Sequence, residues 1–305
     1  MKSRLKTLAK ESLPPDVVHG LRYLLQSLPR SLERRRTEKI FDESPTGQFH
    51  LGAGTLETLL GKYPFPPKYG WDPDSLEMRG TARAKELLRF PEGQAATKFL
   101  ELGCWDGMVS CALSQKGKDT TAIDYRDIGF DKRAMDQGVK LQQMNAADLQ
   151  FEDESFDFVF SYDAFEHVSS PDDVLREALR VVKKGGGIYL DFGPLYYSPF
   201  GEHAYDTIPI PYCQFLFSQE QINEFAAKNG AQLIDFDHVN KWSAQNYREL
   251  WDKYSSVLSK VSYYESLDLS HLNLIREYPS CFKSKSVYFE DFVVDYIKVL
   301  FRKTA

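Results

Sequence analysis

The chain has 305 residues, of which 42% are hydrophobic and 27% are charged, proportions typical of a globular protein with a core. This composition excludes a disordered chain, a collagen-like repeat and a small disulfide-framed domain. The four cysteines form no close CxxC pair, which indicates neither a zinc site nor a disulfide framework, and we expect a reduced, cytoplasmic setting. No run of about 18 apolar residues predicts a transmembrane helix, and the basic start does not lead into the apolar stretch of a secretory signal.

The net charge of −6 is unevenly distributed: residues 1–40 carry ten Lys and Arg against four Asp and Glu, and the remainder carries 28 against 40. Because phosphate binding needs a basic surface, the acidic body predicts that the protein does not bind nucleic acid. The basic segment predicts either a solvated helix face or a contact with an acidic partner or a membrane surface. A homodimer is a further alternative that the sequence leaves open.

Within the basic segment, six apolar residues recur at the spacing of one helix face: Val17, Val18, Leu21, Leu24, Leu25 and Leu28. They predict an N-terminal helical arm. The charge run at 30–39 is interpreted as a linker or an exposed helix end. Residues 40–75 are rich in Gly and Pro and are predicted to be a loop, whereas 75–89 is predicted to be a helix.

From residue 98 onward, predicted strands and helices alternate. The strands lie at 98–102, 120–124, within 140–148, at 155–163 and at 185–193, with helices at about 107–116 and 171–183. This order predicts an α/β fold with a parallel sheet covered by helices on both faces. In such sheets, ligands bind beyond the carboxyl ends of the strands.

The last third of the chain is predicted to contain a helix at 219–230, a strand at 231–239 and a final strand from about 292. The residues in between, 240–290, are rich in Tyr, Trp and Leu. This stretch is too long for a hairpin loop, so we expect it to hold helices of its own.

The strongest motif follows the first strand and reads E-L-G-C-W-D-G from Glu101 to Gly107. Gly103 and Gly107 allow a sharp turn and a close approach of the backbone to a ligand. The spacing differs from the G-x-G-x-x-G of a dinucleotide fingerprint. Two further acids end successive strands: Asp124 could accept hydrogen bonds from ribose hydroxyls, and Asp148 could accept one from an adenine amino group.

Together, these motifs resemble the class I S-adenosylmethionine-dependent methyltransferases. The resemblance extends to the subgroup in which the fourth strand is followed by an "EHV" motif, here the run S-Y-D-A-F-E-H-V from Ser161 to Val168. It implies a Rossmann-like, doubly wound seven-stranded sheet with an antiparallel last strand, and S-adenosylmethionine as cofactor. We divide the chain into an N-terminal helical arm and cofactor-covering segment (1–90), a core (91–239), a substrate cap inserted before the last strand (240–290) and the last strand (291–305).

The resemblance also implies which residues bind the cofactor. It places Glu101, Gly103 and Gly107 beside its amino-acid end, Asp124 at the ribose, and Asp148 with Leu149 at the adenine. Tyr162 and Asp163 fall beside the methionine part, and Arg79 is the candidate for the methionine carboxylate. One departure is Trp105, where the family usually has a glycine.

The acceptor side is predicted from the segment 194–206 that follows the fifth strand. This segment resembles a "P…SP(Y/F)GxH" stretch found in a subset of these methyltransferases. His203 is the candidate general base, because a neutral imidazole can remove a proton from an attacking hydroxyl. The alternatives are that His203 only packs in the loop, and that alignment of donor and acceptor suffices.

A metal ion is the weaker alternative for the "EHV" motif. The spacing of Asp163, Glu166 and His167 is similar to an E-x-x-E-H arrangement of ubiquinone-pathway O-methyltransferases, which implies a Mg²⁺ site that could acidify an acceptor hydroxyl. Since the first acid is the shorter Asp here, we predict no metal ligand.

The sequence therefore predicts methyl transfer to a small molecule, with the hydroxyl of a sugar or glycan precursor as the first choice of acceptor. A quinone or lipid-like acceptor at a membrane surface is the second choice. Two readings from other classes remain: a regulatory protein that binds S-adenosylmethionine without turnover, and an interaction protein that works through its N-terminal arm.

Overall fold

The computed structural model describes residues 30–47, 50–65 and 70–304. The apolar stripe predicted to be helical between residues 17 and 28 lies outside the described residues. None of the helices in the described part of the chain is long and apolar enough to cross a membrane.

The described helices are α1 (30–43), α2 (Ala53–Leu60), α3 (Pro73–Leu87), α4 (Pro91–Ala95), α5 (Met108–Ser114), α6 (Lys132–Asp136), α7 (Pro171–Val181), α8 (Cys213–Leu216), α9 (Gln219–Lys228), α10 (Ala244–Lys253), α11 (Leu272–Glu277) and α12 (Pro279–Lys283). The strands are β1 (Lys98–Leu102), β2 (Asp119–Asp124), β3 (Lys140–Gln143), β4 (Phe156–Tyr162), β5 (Val182–Phe192), β6 (Leu258–Leu267) and β7 (Val294–Lys303). A short 3₁₀ helix, Phe289–Phe292, precedes β7.

The seven strands form one sheet in the order β3-β2-β1-β4-β5-β7-β6. Strands β1 to β5 pair in parallel, and β7 is antiparallel to both of its neighbours. Successive strands extend the sheet to one side of β1 as far as β3 and then to its other side from β4 onward. At such a switch point a doubly wound sheet opens a crevice for a ligand. The predicted doubly wound seven-stranded sheet with an antiparallel last strand is confirmed.

Helices cover both faces of this sheet. On one face, α7 and α10 contribute buried side chains such as Val174, Leu175 and Trp251 to the larger core cluster. On the other face, α3 and α5 bury residues such as Leu87 and Leu113 against Phe99 and its neighbours. The central strands β1 and β4 are therefore buried on both sides, which explains their continuous apolar runs in the sequence.

The sixth strand is not where the sequence predicts it. Residues 231–239 form no strand, because the backbone N–H and C=O of Ile234 bond to the side chain of Asn223, at 2.7 and 2.9 Å, and not to another strand. The sixth strand is β6, within the segment predicted to be a cap. Most of its residues are exposed, so it lacks the apolar alternation that marks a half-buried strand.

One prediction near the N-terminus is wrong, because the predicted loop at 40–75 contains α2. The charge run at 30–39 is helical and mostly exposed, which agrees with the second of its two interpretations, an exposed helix end. Because β6 belongs to the sheet, the segment 240–290 contributes to the core as well as to any cap. The proposed division into four segments stays a prediction.

The chain separates into two compact units. The first consists of residues 1–50 and Leu269–Phe289, and the second of Leu51–Asp268 and Glu290–Ala305. In the first unit, the buried Phe41 ring of α1 lies 5.8 Å from that of Phe289, and Arg276 of α11 donates to the Glu33 carboxylate at 2.7 Å. The second unit contains the whole sheet and every predicted site residue.

Candidate active site

The predicted site begins with a tight turn after β1, where two glycines have left-handed backbone conformations. Gly103 has a φ of +68°, and a Cβ there would lie 2.4 Å from the Cβ of Ala164 in the loop after β4. Gly107 has a φ of +77°, and a Cβ there would lie 2.8 Å from Leu141. Only glycine meets both requirements without strain, so the turn can pass close to the neighbouring loop.

Glu101 ties this turn to the next helix. The side chain is buried, and its Oε2 accepts bonds from the backbone N–H and the hydroxyl of Ser110, at 3.2 and 2.6 Å. Burial raises the pKa of Glu101 to about 8, against the effect of these bonds. Glu101 therefore holds α5 against β1, and its predicted place beside the cofactor stays a prediction.

Asp124, at the end of β2, is nearly buried and already accepts three hydrogen bonds. One oxygen accepts from the N–H of Trp105 at 2.9 Å, and the other from the backbone N–H and Nε of Arg126, at 3.0 and 3.1 Å. The Arg126 guanidinium lies 3.7 Å from the centre of the exposed Trp105 ring. Trp105 thus replaces the family's glycine with a left-handed residue, φ +48°, whose amide holds the predicted ribose acid.

The predicted adenine loop is fixed by two residues of α7 that the sequence analysis did not single out. The N–H of Leu149 donates to Glu177 at 3.0 Å, and its carbonyl accepts from Arg180 at 2.8 Å. Arg180 also pairs with Glu177 at 2.7 Å. Because of this pairing, the pKa of Glu177 lies below its usual value. Leu149 is buried, whereas Asp148 beside it is exposed.

At the end of β4, Asp163 forms an ion pair with Arg83 of α3. The Arg83 guanidinium also lies 4.7 Å from the centre of the Tyr162 ring, and the Tyr162 hydroxyl donates to the Arg83 carbonyl at 3.2 Å. Arg79, the predicted partner of the methionine carboxylate, instead donates to the carbonyl of Gly70 at 2.6 Å. Of the two arginines, Arg83 is the one that reaches a strand-end acid.

The loops after β4 and β5 bring together a cluster that we call the histidine–glutamate cluster: Glu166, His167 and His203. Their nearest side-chain N and O atoms all lie within 4.8 Å of one another. Burial, and next the neighbouring His167, lowers the pKa of His203 to about 3. A base this weak is poorly matched to proton transfer at neutral pH, so its assignment as general base stays a prediction that this pKa does not favour.

Two buried acids accompany the histidines. The carboxylate oxygens of Glu166 and Glu202 are buried and have no hydrogen-bond partner among the described residues. Burial is the main cause that raises the pKa of both, to about 8 for Glu202. Glu202 lies 3.6 Å from Nδ1 of His238, whose ring centroid is 6.0 Å from that of His167.

These residues fit an adenosine-containing cofactor. Asp124 keeps acceptor capacity beyond its present bonds, since a carboxylate can accept about four. The loop that follows β3 has its backbone fixed at Leu149, whose N–H and C=O bond to Glu177 and Arg180 of α7. The predicted residues therefore lie along one edge of the sheet, although which of them contact the cofactor stays a prediction.

The family comparison agrees with this geometry. Residues 100–190 match the family model described as a methyltransferase domain. The matched segment contains β1 to β4 and most of β5, and the sheet has the strand order and reversed β7 that the resemblance implies. This part of the chain is thus a class I S-adenosylmethionine-dependent methyltransferase domain, and its class implies S-adenosylmethionine as cofactor.

Among characterised proteins, the chain is similar to ubiquinone biosynthesis O-methyltransferases. It is 34% identical over 103 residues to that of Pseudomonas fluorescens strain Pf-5, which covers 32% of this chain and 44% of the relative. It is 33% identical over 104 residues to that of Pseudomonas aeruginosa strain UCBPP-PA14, which covers 32% and 45%. The chain thus spans less than half the length of these relatives.

Two solved structures are similar over more of the chain. The PH0226 protein of Pyrococcus horikoshii OT3 has a TM-score of 0.47 at 15% identity and covers 78% of this chain and 96% of its own. A SAM-dependent methyltransferase of Methanosarcina mazei has a TM-score of 0.44 at 17% identity, with 68% and 92% covered. At such scores and identities, neither structure informs substrate or mechanism.

Proposed function

We propose that this protein is an S-adenosylmethionine-dependent O-methyltransferase that acts on a hydroxyl group of a small molecule. The observation that supports this most directly is Asp124, a nearly buried carboxylate at the end of β2 that is held by the amide of the turn after β1 within a methyltransferase domain. The cofactor, when bound, supplies an electrophilic methyl group on a sulfonium.

The chain's own residues would bind and orient that cofactor. Asp124 would accept hydrogen bonds from the ribose hydroxyls, and Leu149 with Asp148 would contact the adenine. Gly103 and the end of β4, with Tyr162 and Asp163, would surround the methionine part. Arg83, held by its ion pair with Asp163, would place further guanidinium N–H donors near this end, where the cofactor carries its carboxylate.

On the acceptor side, we propose that alignment contributes more than proton removal. Holding two reactants in line supplies a large part of the barrier reduction for such transfers. His203 can accept a proton, but its lowered pKa makes it a weak base. We therefore expect acceptors whose hydroxyl is already acidic, such as phenols, to react faster than alkyl hydroxyls.

Two acceptor classes remain candidates. The segment that ends at His203 favours a sugar or glycan-precursor hydroxyl by resemblance. The names of the similar proteins favour a quinone precursor, and a phenolic hydroxyl suits a site without a strong base. We take the phenolic, quinone-like acceptor as the leading proposal and the sugar hydroxyl as the second.

The test has two stages. Calorimetric titration with S-adenosylmethionine and then S-adenosylhomocysteine should give micromolar binding of both. Methyl transfer is then followed by mass spectrometry with a panel of catechols, with and without an isoprenoid tail, and a panel of nucleotide sugars and glycans. Methylation of catechols alone supports the leading proposal, and methylation of sugars alone supports the second.

Other outcomes contradict the proposal. Binding of the cofactor without transfer to either panel favours the reading of a regulatory protein without turnover. Absence of binding overturns the cofactor assignment, and the glycine turn would then be a structural feature only.

A further inference from the structure

We propose that the protein forms a homodimer through its edge strand β6, which pairs antiparallel with β6 of a second copy across a two-fold axis. This strand, Leu258–Leu267, is the last one in the sheet and pairs with β7 alone. Its outer side therefore presents a row of backbone N–H and C=O groups that no other strand of the described chain satisfies, which is a template for pairing with another chain.

The side chains of β6 are the first observation that points to a partner. Residues 259–264 are all exposed. Among the large apolar side chains of this strand, four expose between 38% and 59% of their surface: Val261, Tyr263, Tyr264 and Leu267. Natural edge strands are usually short or covered, whereas β6 has ten residues. Pairing with a second strand would cover this edge.

The bulge in β6 determines which residues of two such strands can face each other. Consecutive residues of β7 pair with Lys260 and Ser262, so Val261 is an extra residue in the ladder. An antiparallel pair of β6 strands with its axis through Tyr263 accommodates this bulge in both copies and places Lys260 opposite Glu265. These last three residues lie on one face of the strand, because they pair with alternate residues of β7.

The charges are complementary in this register. Arg248 of α10 bonds Glu265 at 2.6 Å and Glu290 at 3.2 Å, so two carboxylates share one guanidinium. Lys260 of the second copy would supply a second positive charge beside Glu265. In the single chain, Lys260 pairs with the exposed Asp252 at 3.3 Å. Opposite charges that face each other stabilise an antiparallel pair, and like charges destabilise it.

The axis and the other face of the strand are also matched. Tyr263 faces its own copy at the axis, and Tyr264 faces Ser262, whose small side chain leaves room for the ring. Because every contact occurs twice, the partner of such a self-complementary surface is a second copy of the same chain. A lysine and a bulge usually block an edge strand, and here they restrict pairing to a single register.

The first test measures the mass of the full chain in solution. Sedimentation velocity at micromolar concentrations should show a species of twice the mass of one chain. Tyr263→Lys and Lys260→Glu bring like charges together across the axis and should each weaken the dimer at least about tenfold. Tyr288→Lys, at an exposed tyrosine outside β6, and Lys140→Glu, on the opposite edge strand β3, should leave it unchanged.

The second test determines the register by oxidation of engineered cysteines. Tyr263→Cys places a thiol at the axis, within reach of its own copy, and should give a disulfide-linked dimer. Leu267→Cys should not, because four residues on either side of the axis separate the two thiols by roughly 26 Å. The four native cysteines are buried, so they do not compete in the folded chain.

A monomer at these concentrations overturns the proposal. A dimer that persists in both Tyr263→Lys and Lys260→Glu also overturns it, as does a dimer in which Tyr263→Cys forms no disulfide. If a charge variant fails to fold, the cysteine variants still decide, since each replaces an exposed side chain by a smaller one. Sedimentation requires neither cofactor nor acceptor, so failure of the dimer and failure of the proposed function can be distinguished.

Discussion

The Asp124 carboxylate has one set of hydrogen bonds in the free protein and a second, proposed set when the cofactor is bound. In the free protein, its carboxylate holds the turn after β1 through the Trp105 amide and the loop after β2 through Arg126. Ribose hydroxyls would use the same oxygens. Since the Nε of Arg126 occupies one of the acceptor positions, this side chain would compete with the ribose, whereas the Trp105 amide would not need to move.

We therefore expect Asp124→Asn to weaken binding of S-adenosylmethionine and S-adenosylhomocysteine about 10- to 100-fold, because hydrogen bonds to a charged group contribute about 1.5–3 kcal/mol. Arg126→Gln should leave the affinity unchanged or increase it. Asp119→Asn is the matched control, since it removes an exposed carboxylate from the opposite end of β2. Equal affinities of wild type and Asp124→Asn would reject the ribose assignment.

At the scale of elements, α7 positions the loop that follows β3. Glu177 and Arg180 lie one turn apart on this helix and bond the N–H and C=O of Leu149, while Arg180 also reaches the carbonyl of Phe151 at 2.7 Å. The helix therefore fixes the backbone of a loop that has few regular bonds of its own. No local pattern in the loop sequence reveals this, because the partners are on another element.

Glu177→Gln should lower the free energy of unfolding by about 1–2 kcal/mol at pH 7 and weaken cofactor binding. The pKa of Glu177 is lower in the folded chain than in the unfolded one. The stabilisation is therefore present above the unfolded value, near 4.3, and is lost as the pH falls through the lower folded value. Urea unfolding measured between pH 7 and pH 3 should show the free energies of unfolding of the wild type and of Glu177→Gln converge at the acidic end.

Arg176→Gln provides the comparison for this result, because it breaks an exposed ion pair with Asp173 on the same helix. Such exposed pairs are screened by solvent and contribute little to stability. If Arg176→Gln lowered the free energy of unfolding as much as Glu177→Gln does, any charge change on α7 would be destabilising. The hydrogen bonds to the Leu149 backbone would then not be the cause.

At the scale of the whole molecule, each of the two compact units combines segments that are not contiguous in the sequence. The first unit combines the N-terminal part with Leu269–Phe289, a segment near the other end of the chain. In it, α1 buries Phe41 and pairs Asp42 with Lys283 at 3.6 Å. Removal of the residues before α1 and removal of α1 itself should therefore affect the stability of the chain differently.

Removal of residues 1–43 should leave a chain less stable than removal of residues 1–29 by about 3 kcal/mol, the usual cost of losing one large buried aromatic residue. Thermal unfolding of the two truncated chains measures the difference. Equal stabilities would show that α1 contributes nothing to its unit. Methyl transfer that survives removal of residues 1–29, with cellular localisation lost, would assign a docking role to the basic segment.

Much of the fold can be predicted from the sequence, because its signals are local. The apolar runs of β1, β2, β4 and β5 and the glycines at 103 and 107 specify where strands end and turns begin, and these positions agree with the structure to within a few residues. The strand-end position of Asp124 follows from the same pattern. Periodicity and turn chemistry are properties of neighbouring residues, so a single sequence contains them.

The tertiary structure alone decided the rest. Exposed β6 is a strand because β7 pairs with it, Leu149 is held by α7, and Arg83 rather than Arg79 reaches Asp163. Glu166 and His203 meet because β4 and β5 are neighbours in the sheet. Each of these contacts joins residues far apart in the chain, and their energies depend on burial and pairing that exist only once the sheet has formed.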